Sequence, residues 1–116
     1  MNVKLFSLSI LTGALFLISG LSYANDVSPV MDAKSCESPK YPKAALMNEE
    51  TGTVTMGFLI AADGKVVESK VEKSSGSKSL DKAALSALSL CKFKPGTKDG
   101  KPDQLWARVD FVWKLE

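Results

Sequence analysis

Residues 53–73 read TVTMGFLIAADGKVVESKVEK, and the spacing of their apolar side chains decides the fold. Val54, Met56, Phe58 and Ile60 alternate with Thr53, Thr55 and Gly57, the period of two that marks a half-buried strand. Ala62-Asp63-Gly64-Lys65 follows, and an Asp-Gly pair accepts the positive φ of a tight turn. Val66 to Lys73 then alternates again, with Val67 and Val71 expected on one side. Strand, turn and strand make a β-hairpin. Asp63 has no companion acids at ligand spacing, so the turn takes precedence over a metal site.

Beyond the hairpin, Ser74-Ser75-Gly76-Ser77 breaks the pattern and Ser79 is placed to cap a helix. In that helix Leu80, Ala84, Ala87, Leu88 and Cys91 fall at i, i+4, i+7, i+8 and i+11, a narrow, small-sided stripe suited to lying close on a sheet. Lys92 and Lys94 are expected to complement the helix dipole at its C-terminal end, and Pro95-Gly96 prevents continuation. Asp99-Gly100 begins a second turn. Leu105, Ala107, Val109, Phe111, Trp113 and Leu115 then alternate with Trp106, Arg108, Asp110, Val112 and Lys114, which gives the longest strand, with the first set facing the core.

Upstream of the hairpin, Pro42 stands at a suitable first helical position before Ala44, Ala45, Leu46 and Met47, so a short helix is expected to end before Gly52. Residues 25–35, NDVSPVMDAKS, are polar and aperiodic and read as a flexible lead-in. The order is helix, strand, strand, helix, strand. That is an α+β layout: a three-stranded antiparallel sheet with two helices on one face. The last strand must join one side of the hairpin, and at least one edge stays open.

Residues 1–24 carry Lys4, an apolar run from Leu5 to Leu21 and the small-residue site Ser22-Tyr23-Ala24, the pattern of a signal peptide cut after Ala24. No cysteine lies nearby for lipid attachment. The rival reading is an uncleaved anchor, since about 20 apolar residues span a bilayer. Cleavage leaves a small domain that is marginal in the surface it can bury. Lys4 falls in the leader, so fourteen basic residues face thirteen acidic ones in the remainder, interspersed along the chain, which argues against a nucleic-acid partner. Cys36 and Cys91, in a small domain exported to an oxidising compartment, read as a disulfide. The alternative, a reactive thiol, wants a histidine as base, and the chain has none.

Several short motifs in a fixed order resemble the C-terminal domain of the TonB family of energy transducers. They are Tyr41-Pro42, Gly52-Thr53-Val54, Asp63-Gly64-Lys65-Val66, Ser74-Ser75-Gly76, Leu80-Asp81-Lys82-Ala83-Ala84, Phe93-Lys94-Pro95-Gly96, Asp99-Gly100-Lys101-Pro102 and the closing hydrophobic strand. The resemblance covers residues 36–116. It implies the α+β fold just read, a place in the periplasm of Gram-negative bacteria, and a protein partner: an outer-membrane transporter whose segment is bound as an added strand. A full transducer of that family keeps an N-terminal anchor, an energy-coupling histidine and a long proline-rich spacer. Here the histidine is absent and only the short lead-in precedes the domain. Paired cysteines are not general in the family, and Cys36 is placed to tie the lead-in to the end of the second helix.

The expected role is therefore a periplasmic protein-binding module without a stable membrane anchor after cleavage and without its own energy coupling. The alternative is an envelope-structural protein that binds cell wall or self-associates as a homodimer. Catalytic chemistry lacks its parts, with no histidine and no acidic pair at catalytic spacing, and no cofactor or metal is expected. The candidate partner-binding residues are Trp106, Arg108, Asp110, Val112 and Lys114, the outward parity of the last strand, with Tyr41. Trp113 has the core parity, and Ser74, Ser75 and Ser77 read as turn and capping residues.

Overall fold

The computed structural model describes residues 26–116, so the expected signal peptide and its cut site lie outside the described residues. The elements are β1 (Val30–Asp32), a 3-10 turn (Ala33–Ser35), α1 (Lys43–Met47), β2 (Gly52–Ile60), β3 (Val66–Lys73), α2 (Lys78–Leu88), β4 (Lys92–Lys94), β5 (Thr97–Lys98), β6 (Lys101–Pro102) and β7 (Leu105–Trp113). The fold is α+β, and its main sheet is antiparallel in the order β3-β2-β7. Among the described residues no helix is long and apolar enough to cross a membrane.

The alternation in β2 builds the core. Val54, Met56, Phe58 and Ile60 are fully buried against Ala45 of α1 and Leu80, Ala84 and Leu88 of α2, with Phe93 of β4 tilted onto Phe58 at a ring separation of 5.8 Å. Burying each large side chain contributes about 1.5–3 kcal/mol. Truncating Phe58 to alanine would cost about 3–5 kcal/mol. The turn after β2 closes as expected. Ala61 N–H donates to the Lys65 carbonyl at 2.9 Å, and Gly64 takes φ 90°. A Cβ on Gly64 would stand 2.3 Å from the Phe93 carbonyl oxygen, so both its dihedral and its neighbour require glycine.

β3 departs from simple alternation. Its register with β2 slips twice, leaving Val67 and Glu72 as extra residues. The first bulge puts Val66, not Val67, opposite Ile60 on the core side, and Val67 is exposed. Val71 lies opposite Met56. Only Val66 packs against the core, and Val71, although opposite Met56, is itself exposed, so the expected pairing of Val67 with Val71 on one side does not hold.

α2 is capped by Ser77, whose Oγ accepts from Leu80 N–H at 3.3 Å, not by Ser79. Ser77 wins because its hydroxyl also donates to Glu50 Oε1 at 2.6 Å, which ties the helix start to the segment before β2. Asp81 is 8% exposed and accepts from Ser74 Oγ at 2.5 Å, Ser75 N–H at 2.8 Å and Ser75 Oγ at 2.7 Å. Burial pushes its carboxyl pKa up, but the hydrogen bonds from Ser74 and Ser75 outweigh that and hold it below the ordinary value. The helix ends at Leu88, three residues short of Cys91, and Ala87 of the expected stripe is only half-buried. Lys92 and Lys94 therefore do not sit at the helix terminus as expected. They flank Phe93 in β4.

β4 exists because it has a partner. Val30, Met31 and Asp32 of β1 pair antiparallel with Lys94, Phe93 and Lys92, and Val27 bridges to Thr97. The residues read as a lead-in therefore form a strap across the domain. Ser35 fastens its end, its Oγ accepting from Lys92 N–H at 2.7 Å, and Asp32 caps the 3-10 turn through Lys34 N–H. Cys36 and Cys91 are joined by a disulfide with Cα atoms 4.8 Å apart. Asp99 and Gly100 both take positive φ in the turn between β5 and β6, where a second turn was expected.

Candidate functional site

β7 pairs with β2 residue for residue from Leu105↔Ile60 to Trp113↔Gly52, with no slip in register. Among the described residues no strand pairs with its other side. The sheet thus has two unlike edges. β3 carries two bulges and the charges of Glu68, Lys70, Glu72 and Lys73, the usual devices that keep an edge from pairing. β7 has nine residues in one uninterrupted run. Its main-chain groups on the free side form a template for another extended chain.

The outward side chains of β7 lie on a face that neither helix covers. Trp106 is 42% exposed, Val112 is 57% exposed, and Arg108 and Asp110 lie between them. These side chains are held in place across the sheet. Arg108 Nε lies 3.4 Å from Glu72 Oε1 of β3, above Gly57, whose missing side chain leaves the room. Lys70 Nζ stands 4.4 Å from the Trp106 ring centre, a cation–π contact. Thr55 Oγ1 donates to Asp110 Oδ1 at 2.7 Å. This roof explains why Thr55 and Gly57, expected on an open face, are buried. Glu72, Lys70 and Gly57 were not among the expected site residues. The signal was in the sequence all the same, because a glycine inside a strand marks close approach by something else.

Tyr41 and Lys114 form a separate group. Lys114 lies just past β7 and, with Tyr41, Leu46, Glu49, Leu115 and Glu116, lines an open cleft of about 490 Å³. Tyr41 packs edge-on against Trp113 with ring centres 4.9 Å apart, and its hydroxyl donates to the Glu50 carbonyl. Trp113 is buried, as its parity required, although its Nε1 finds no acceptor among the described residues. Leu115 falls beyond the strand and is 40% exposed, so the core parity stops at Trp113. No group of acidic, cysteine or histidine side chains among the described residues could hold a metal ion.

A family model described as Gram-negative bacterial TonB protein C-terminal matches residues 37–115. The chain belongs to that family. Curated relatives include proteins named TonB. Protein TonB of Haemophilus influenzae is 38% identical over 73 residues, covering 63% of this chain and 27% of that protein. Protein tonB2 of Pseudomonas aeruginosa is 35% identical over 78 residues, covering 67% and 29%. The chain therefore spans less than a third of those relatives. Its fold is similar to the solution structure of the Pseudomonas aeruginosa TonB C-terminal domain, with a TM-score of 0.59, 26% identity, and coverage of 83% of this chain and 92% of that one. The Helicobacter pylori TonB C-terminal domain gives 0.52 at 29% identity, covering 67% and 70%. Membership makes this a protein-interaction domain and not an enzyme.

Proposed function

We propose that this chain is a periplasmic protein-binding module that takes an extended segment of an envelope or outer-membrane protein as an added strand along the free edge of β7. An outer-membrane transporter is the expected partner, in keeping with the TonB relatives. With the leader removed after Ala24 the module binds without transmitting force of its own. One observation carries the reading: of the two sheet edges, β3 is bulged and charged, while β7 is in regular register and unpaired among the described residues. Main-chain bonds to β7 supply affinity, and Trp106, Arg108, Asp110 and Val112 supply selectivity on one face.

Proline at Val109 and, separately, at Asp110 tests it. In an antiparallel ladder, neighbouring residues point their N–H groups to opposite sides, so one proline removes a donor to β2 and the other a donor to the free edge. The edge-facing variant is expected to fold and to lose capture of outer-membrane protein, with binding to purified cell wall as the comparison. Undiminished capture by a folded edge-facing variant refutes strand addition. Loss of a dimer with capture intact would assign the edge to self-association instead.

A further inference from the structure

The free edge of β7 carries a distinct chemistry at Phe111 and Asp110. Phe111 faces inward, half-buried, and forms one wall of a pocket of about 170 Å³. The other walls come largely from the strap and the end of α2: Met31, Ala33, Pro39 and Leu88, with Glu37 also lining it. An apolar cavity of about 150 Å³ is large enough to hold a benzene ring, so this one has room for a single branched aliphatic side chain. Asp110, the next residue, lies on the opposite face and among the described residues accepts a side-chain hydrogen bond from Thr55 alone. The one ion pair among the described residues is Arg108 with Glu72, so Asp110 is not matched by a cation.

We propose that the segment taken up by β7 carries a basic residue next to an aliphatic one, the basic side chain meeting Asp110 and the aliphatic one filling the pocket beside Phe111. The inference rests on the strand-addition reading and specifies its ligand. Adjacent residues of an extended chain point to opposite faces, so one dipeptide serves both positions at once. Residues directly across from one another on a sheet have Cβ atoms about 4.5–5.5 Å apart, within reach of both partners. The Asp110 carboxylate selects the basic residue by charge, and the apolar walls on the other face select the aliphatic one by burial.

Blocked nine-residue threonine-rich peptides with a central Lys-Leu, Lys-Ala or Glu-Leu pair test this by titration calorimetry, with amide exchange to locate the bound strand. Lys-Leu is expected to bind about tenfold tighter than Lys-Ala, allowing for a half-open pocket. Glu-Leu is expected to bind about two- to fivefold more weakly than Lys-Leu, a gap that closes in 1 M salt. Ala33 is exposed at the pocket, and Ala33→Phe should erase the preference for leucine while leaving that for lysine. Asp110→Asn should do the reverse. Equal binding of all three peptides, with β7 amides protected, overturns this inference and leaves strand addition standing. No binding, or binding that protects no β7 amide, overturns both.

Discussion

Removing the Cys36–Cys91 bridge is expected to cost the domain about 4 kcal/mol. The two residues are 55 positions apart, and the loop they close limits the conformations of the unfolded chain by that amount in the chain-entropy relation. A domain of about ninety residues has a stability of roughly 5–14 kcal/mol, so the bridge accounts for roughly 30–80% of it. With an unfolding entropy near 0.19 kcal/mol/K for about ninety residues, the melting temperature should fall by about 20 °C. The folded state should survive, because β1 still pairs with β4, Ser35 still accepts from Lys92 N–H, and Met31 still packs on the core. Thermal and urea melts of the reduced protein, set against the oxidised one, measure the loop term with no change of side-chain volume. The Cys36→Ala, Cys91→Ala double variant should lose about a further 1 kcal/mol, since Cys91 is 2% exposed and its truncation leaves a small void. A loss below about 1 kcal/mol on reduction, with the midpoint moving less than about 5 °C, would refute the reasoning and show that the strap alone holds these two segments together.

Asp81→Ala should destabilise by about 2–4 kcal/mol, because it leaves Ser75 N–H and two hydroxyls without their charged acceptor. The same carboxylate predicts an acid limb: its folded pKa lies below 3.8, so its contribution is complete above 3.8 and disappears as pH falls through the lowered folded value. Asp81→Asn should flatten that limb in urea melts taken from neutral to strongly acid pH, and an unchanged limb would count against the network. Gly64→Ala should cost about 2 kcal/mol or more, since φ 90° and the Phe93 carbonyl both oppose a Cβ, and a loss under about 0.5 kcal/mol in a chemical melt would argue that the turn relaxes freely.

The parts of this fold that could be read in advance are those whose cause is local. Val54, Met56, Phe58 and Ile60 announce β2 by alternation, Asp63-Gly64 announces its turn, and Leu80, Ala84 and Leu88 announce the buried side of α2. The long run from Leu105 announces β7 in the same way. The strap could not be read. Val30-Met31-Asp32 has no period of its own and becomes a strand only by meeting Lys92-Phe93-Lys94, some sixty residues away and itself taken for a helix end. Ser77 and Ser79 are chemically equal as caps, and it is Glu50, distant in sequence, that favours the first. Val67 faces outward because of a bulge, which shifts parity without any change in composition. Trp106, Arg108, Asp110 and Val112 were legible as one outward-facing set. Their cross-sheet partners Lys70, Glu72 and Thr55 were not, because only the pairing register brings them together.

The inequality of the two sheet edges sets how many chains one molecule can hold. Fibres and other open-ended sheets grow when each copy offers a template on both sides, so that every addition exposes the next. Here Val67 and Glu72 interrupt β3, and of the two edges of the main sheet β7 alone remains regular. Under the proposed strand addition, the main sheet of each molecule therefore has a valency of one. A partner segment caps it at one to one. A second copy meeting it edge to edge uses up both vacancies and stops growth at two. On that reading the bulges that look like irregularities in β3 make the fold a chain terminator, able to offer a bare strand without seeding a polymer.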